Sequence, residues 1–137
     1  NHFLVNDSWY LTDLPGYGYA RVAKSERNKF VPLIHNYLLQ RKSLSLLFVL
    51  IDSRHPPLKA DLDFIRWLGE NTIPFSLCFT KTDKISLNRK KHIYGLFEQK
   101  LLEEWEYLPP VFFTSATKQT GKEDILEYIA SVNQTLL

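Results

Sequence analysis

Two segments constrain this chain most. Leu46–Ile51 is apolar without interruption, Phe75–Phe79 nearly so, and a helical pattern separates them. Strands that are apolar on both faces belong to a sheet covered on both sides, as parallel sheets are. The rest of the chain supports that frame. Phe3–Val5 and Trp9–Thr12 are short strand-like runs joined by Asn6-Asp7-Ser8, which is turn chemistry, so a hairpin is expected. Asp13-Leu14-Pro15-Gly16-Tyr17-Gly18 is a loop by its proline and glycines. Phe30, Leu33, Ile34, Tyr37 and Leu38 recur at helical spacing. Pro32 interrupts them, and a proline is tolerated best in a first turn, so the helix is expected to begin near Val31. Leu62, Ile65 and Leu68 give the next helix an inner face. Ser86 can cap a helix with the stripe Ile93, Leu96, Phe97 and Leu101. Val111–Phe113 is a last short strand. Gly121 precedes a final helix with Ile125, Ile129, Val132 and Leu136 on one face. A hairpin and helix, then strand–helix three times, predict an α/β three-layer sandwich. Its sheet is mostly parallel with an antiparallel hairpin at the edge. We read residues 1–137 as a single domain without a linker.

Composition narrows the function classes. The net charge of +2 permits an RNA or ribosome partner without demanding one. Cys78 is the only cysteine, which excludes an intramolecular disulfide and fits a reducing, cytoplasmic setting. No apolar run approaches the roughly 20 residues of a membrane span, so no membrane partner is expected. The chain has no methionine and opens directly on a strand-like run, so we expect a piece of a longer protein.

Ligands of such sheets bind outside the carboxyl ends of the strands, and three loops there carry suggestive residues. Asp13-Leu14-Pro15-Gly16 follows the hairpin. Asp13 can hold magnesium through a water, and Gly16 lets a backbone N–H approach a terminal phosphate. An ordinary turn would also look like this. Thr80-Lys81-Thr82-Asp83 follows Phe75–Phe79. One carboxylate can accept both the N1–H and the 2-amino group of guanine, whereas adenine offers neither at those places. The Lys81 stem can lie along the base, and the Thr80 hydroxyl can tie the loop down. A solvated loop is the other reading. Thr114-Ser115-Ala116 follows Val111–Phe113. A free N–H there can donate to the guanine O6, and Ser115 can brace the neighbouring loop.

Taken together, and with the longer strings Asp13-Leu14-Pro15-Gly16-Tyr17-Gly18-Tyr19-Ala20 and Ile51-Asp52-Ser53-Arg54-His55-Pro56-Pro57, the chain resembles the EngB (YihA/YsxC) family of ribosome-assembly GTPases. The resemblance covers nearly the whole chain. It implies a P-loop GTPase-type fold binding GTP or GDP with Mg2+. Asp13, Leu14, Pro15, Gly16 and Tyr17 would face magnesium and the γ-phosphate. Thr80, Lys81, Thr82 and Asp83 would bind guanine, with Thr80 in place of the usual asparagine. Thr114, Ser115 and Ala116 would close the base pocket, and Tyr17 to about Lys29 would form a mobile switch. The large ribosomal subunit is the implied partner, and normal cell division and septation the implied need. A non-enzymatic ribosome- or protein-binding module is the alternative.

The phosphate-cradling pattern G-x-x-x-x-G-K-[ST] does not occur among the glycines at 16, 18, 69, 95 and 121. The resemblance therefore implies the carboxyl-terminal two thirds of the family's domain, without its first strand. That strand would lie between the third and fourth strands of the family's sheet. Its loss exposes pairing edges, so we expect a closed gap, a borrowed strand, or dimerisation by swapped elements. No catalytic group is assigned. Tyr17 stands where many GTPases place a water-orienting glutamine, so slow turnover is expected. Tyr17 and Tyr19, flanked by Arg21, Lys24, Arg27 and Lys29, read equally as loop packing or as a surface for RNA or ribosomal protein. Arg89-Lys90-Lys91-His92 reads as a solvated face, and Arg54 and His55 as braces for their loop.

Overall fold

The computed structural model describes residues 2–17 and 24–135, with side chains described outside 24–30. The chain forms two compact units, Asn1–Lys42 and Ser43–Leu137.

In the first unit, β1 (His2–Val5) and β2 (Trp9–Thr12) pair antiparallel, His2 opposite Thr12 and Val5 opposite Trp9. Asn6 and Asp7 take φ of 51° and 53°, and the Ser8 N–H donates to the Val5 carbonyl at 3.0 Å. Two consecutive left-handed residues match the twist of a tight hairpin, and Asn and Asp tolerate them. The helix α1 runs Lys24–Gln40. It begins earlier than the proline argument predicts, and Pro32 lies inside it. The ring removes one helical hydrogen bond, at a cost of about 3 kcal/mol in a helix interior. Pro32 sits at an exposed position, so the helix carries the ring on an open face. Tyr37 ties α1 to the hairpin by donating its hydroxyl to Thr12 Oγ1 at 3.3 Å.

The second unit contains β3 (Leu47–Asp52), α2 (Lys59–Glu70), β4 (Phe75–Thr80), α3 (Leu87–Leu102), β5 (Val111–Phe113) and α4 (Lys122–Thr135). The sheet order is β3-β4-β5, all parallel, with Asp52 opposite Thr80 and Phe79 opposite Phe113. The whole of β4 from Phe75 to Phe79 is buried, as its unbroken apolar character requires. Ile65, Leu68, Ile93 and Phe97 pack into the same core and are at most 1% exposed. Phe79 is its centre: its ring stacks on Phe113 and meets Tyr94 and Phe97 edge-on, with centroids 5.1–5.9 Å apart. Fully burying such side chains contributes about 1.5–3 kcal/mol each. Ser86 caps α3 as its chemistry suggests, its Oγ accepting from the Arg89 N–H at 3.1 Å.

One expectation needs correction. The strand β3 is covered unevenly: Val49 and Ile51 are buried on one face, while on the other Phe48 is half-buried against Phe112 and Leu50 is 63% exposed. On α4, Ile125, Ile129 and Val132 are half-buried, and Leu136 lies outside the described residues. Among the described residues β3 pairs with β4 alone, and the hairpin is a separate sheet. No helix among the described residues is long and apolar enough to cross a membrane.

Candidate guanine-recognition loops

In the second unit, β4 and β5 end side by side, so the loops that follow them meet. Thr80, the last residue of β4, donates its hydroxyl to the Ile51 carbonyl at 3.3 Å. Lys81 then turns left-handed, at φ 60° and ψ 32°. Thr82–Lys84 form one turn of 3-10 helix, closed by the Lys84 N–H on the Lys81 carbonyl at 3.0 Å. Thr82 donates twice to the Thr114 carbonyl, through its N–H at 3.1 Å and its hydroxyl at 3.0 Å. Thr114 in turn donates its N–H and hydroxyl to the Phe79 carbonyl at 2.7 and 3.2 Å.

Asp83 and Ser115 join the two loops. The Ser115 hydroxyl is buried and donates to Asp83 Oδ1 at 2.7 Å, while Ser115 Oγ accepts from the Lys118 N–H at 3.1 Å. The Asp83 side chain is only 11% exposed although the residue as a whole lies open. Its carboxyl is held below the usual range, first by the Ser115 hydroxyl, with burial opposing and Lys84 and Lys118 assisting. A carboxylate has about four acceptor positions, so the Ser115 bond leaves room for two further donors. The second loop is closed by mutual N–H to carbonyl bonds between Ser115 and Thr120 at 3.2 and 3.1 Å. Gly121 follows at φ 81°, where a Cβ would press on the Phe113 carbonyl. Only glycine takes that turn without strain. Ala116 is exposed at the start of this loop. A shallow groove of about 370 Å³ runs past Thr80, Thr114, Ser115 and Ala116, floored by Leu50 and Cys78. Burial pushes the Cys78 thiol up, against a weak bond with Thr114.

The sequence reading missed Asp52. At the end of β3 its carboxylate accepts from the Arg54 N–H and Nε at 3.0 Å each, from Arg54 Nη2 at 2.7 Å and from Lys81 Nζ at 3.2 Å. Arg54 thus braces its loop, as expected, through a partner two residues away. His55 Nε2 stands 4.0 Å from the same carboxylate. The Arg54 guanidinium holds the Asp52 carboxyl far below the usual carboxylate range, with burial opposing and Lys81 adding to the effect. A carboxyl depressed by folding contributes stability above its unfolded value of 3.8, and that contribution is lost as pH falls through the folded value. Urea unfolding of the second unit should therefore be nearly constant from about pH 7 to 5 and weaken below about pH 4. Asp52→Asn should flatten that acid limb; an equally steep limb in the variant would assign the loss to other carboxylates.

Asp13, Leu14, Pro15, Gly16 and Tyr17 lie in the first unit, just past β2. Asp13, Pro15 and Gly16 are exposed, and Leu14 and Tyr17 half-buried. Of the expected switch segment, residues 18–23, with Tyr19 and Arg21, lie outside the described residues; the stretch from Lys24 to Lys29 is helical backbone of α1. In the basic run of α3, Lys90 stands over the Phe113 ring at 4.9 Å, while Arg89, Lys91 and His92 are exposed.

No family model matches the chain. Whole proteins do. The probable GTP-binding protein EngB of Porphyromonas gingivalis is 60% identical over 136 residues, 99% of this chain and 68% of that protein. Those of Phocaeicola vulgatus and Bacteroides fragilis are 50% and 48% identical over the same shares. Among solved structures, translation elongation factor SelB from Methanococcus maripaludis, in its apo form, superimposes with a TM-score of 0.67. That match covers 90% of this chain and 24% of SelB; at 17% identity it shows the fold alone, an α/β architecture. With up to 60% identity along almost its whole length, this chain belongs to the EngB family of GTP-binding proteins.

Proposed function

We propose that this protein is a cytoplasmic GTPase that recognises guanine through Thr80–Asp83 and Thr114–Ala116 and serves assembly of the large ribosomal subunit, with cell division and septation depending on it. The observation that carries the guanine reading is the 2.7 Å bond from Ser115 to Asp83. It ties the loops after β4 and β5 together and fixes a carboxylate that would accept two adjacent N–H donors of one base. Asp83 would accept the guanine N1–H and 2-amino group, the Lys81 stem would lie along the base, and a backbone N–H at Ala116 would meet O6.

Asp13 and Gly16 form the phosphate side of the reading. Gly16 would donate its N–H to the γ-phosphate. Asp13 is one exposed carboxylate, and among the described residues no three His, Cys, Asp or Glu side chains gather as a cage. One carboxylate acting through water suits magnesium, which keeps several waters and takes its other ligands from phosphates. Magnesium, when bound, neutralises charge on the phosphates during in-line attack by water. Tyr17 has no amide with which to orient that water, so turnover is slow without a partner.

Pelleting a protein of the relatives' full length with large ribosomal subunits tests the assembly reading. Binding that differs between GTP and GDP is expected; binding indifferent to nucleotide would instead favour a passive ribosome-binding module. The 137 residues alone lack the phosphate-cradling pattern. Charge-assisted hydrogen bonds at about 1.5–3 kcal/mol each must offset about 4–15 kcal/mol of lost ligand freedom. Titration of this chain with fluorescent GDP should thus give millimolar affinity or weaker, and micromolar binding would refute that expectation. The edge of β3 opposite β4, beside exposed Leu50, should also drive self-association. Sedimentation should show concentration-dependent dimers that Leu50→Lys suppresses; a monomer at all concentrations counts against it.

A further inference from the structure

We infer that Asp52 is a positioning residue for the guanine-recognition loop: its carboxylate, clamped by Arg54, holds the Lys81 ammonium aside and fixes the loop before a base arrives. The inference rests on reading Thr80–Asp83 as that loop.

Lys81 carries a β-carbon yet adopts a left-handed conformation, at φ 60°, which side-chain-bearing residues disfavour. Such residues persist where their surroundings over-determine them, typically at ligand clamps. Three ties hold this one. Its carbonyl accepts from the Lys84 N–H at 3.0 Å. The next residue, Thr82, is pinned by two donors on the Thr114 carbonyl. Its ammonium reaches Asp52 Oδ2 at 3.2 Å, across the register that sets Asp52 opposite Thr80. Asp52 is itself fixed, because Arg54 grips both carboxylate oxygens and a bidentate pair of this kind restricts orientation.

The tether has a chemical consequence. Asp83 is a carboxylate of Lys81's own loop, two residues on. An ammonium resting there would take the acceptor positions that the guanine N1–H and 2-amino group need. Asp83 already bonds Ser115 and has the Lys84 ammonium 3.8 Å from Oδ2, so holding Lys81 on Asp52 keeps a second ammonium off the positions left for the base. Arg54 and Lys81 share one carboxylate, so this corner of the site keeps a net positive charge.

Amide hydrogen exchange on this chain tests the inference. Asp52→Asn keeps an acceptor for the Arg54 N–H and removes the charge that holds Lys81. Exchange at Thr82 and Lys84 should quicken about fivefold beyond any change at Leu77, at the centre of the sheet, which follows the stability of the whole unit. Lys81→Met keeps the stem, leaves the Asp52 turn intact and should quicken the same two amides. Unchanged exchange at Thr82 and Lys84, or a uniform rise that includes Leu77, overturns the inference in either variant. GDP and ADP added at millimolar concentration separate it from the guanine reading. If ADP protects the two amides of the unsubstituted chain as strongly as GDP does, the guanine reading fails, while the tether is still judged by Thr82 and Lys84.

Discussion

Asp83→Asn, in a protein of the relatives' full length, should lower GTP affinity roughly 100-fold and raise the relative affinity for xanthosine triphosphate. The carboxylate of Asp83 is nearly buried and oriented by Ser115 at 2.7 Å. Two charge-assisted bonds to guanine are at stake, each about 1.5–3 kcal/mol. Asparagine accepts from one guanine donor but turns its own N–H towards the other. A loss of about 3 kcal/mol corresponds to the 100-fold change. Xanthine replaces the 2-amino group with a carbonyl, which the asparagine N–H can meet. Competition binding with both nucleotides measures the ratio. An unchanged preference for guanine would remove Asp83 from base recognition, and with it the function proposed here.

Phe79→Ala should remove about 3–5 kcal/mol from the second unit. The ring is 1% exposed and touches Phe97, Tyr94 and Phe113. Truncation leaves a cavity that three rings on two elements cannot all collapse into. Small domains have only about 5–15 kcal/mol in total, so the variant should be partly unfolded at room temperature. Leu50→Ala is the counterpart. Leu50 is also an apolar residue of a parallel strand, yet it is 63% exposed, and its truncation should stay within about 0.5 kcal/mol. The urea midpoints of the two variants provide the check. Similar losses at a concentration where sedimentation shows monomer would mean that Leu50 is covered within the chain.

The expectation for Asp83 comes from the residue string alone, because one carboxylate can accept both guanine donors. The contrast between Phe79 and Leu50 does not. Both lie in runs that predict strands covered on both faces. Coverage, however, depends on which helices lie on each face, and a strand's own sequence does not carry that information. Pro32 is a similar case: the local rule sets a helix start near Val31, and the helix extends back to Lys24. The cost of one lost hydrogen bond is a preference that the remainder of the helix overrides.

By itself the sequence determined the order of strands and helices, the hairpin turn at Asn6-Asp7 and the Ser86 cap. Each depends on spacings of two to four residues or on the identity of one side chain, so each is local. Only the tertiary structure decided that Ser115 orients Asp83, 32 positions earlier in the chain, and that Asp52 holds Lys81, 29 positions later. Those pairs meet because parallel strands align their carboxyl ends. Register across a crossover is set by how intervening helices pack, and no short window of sequence contains it.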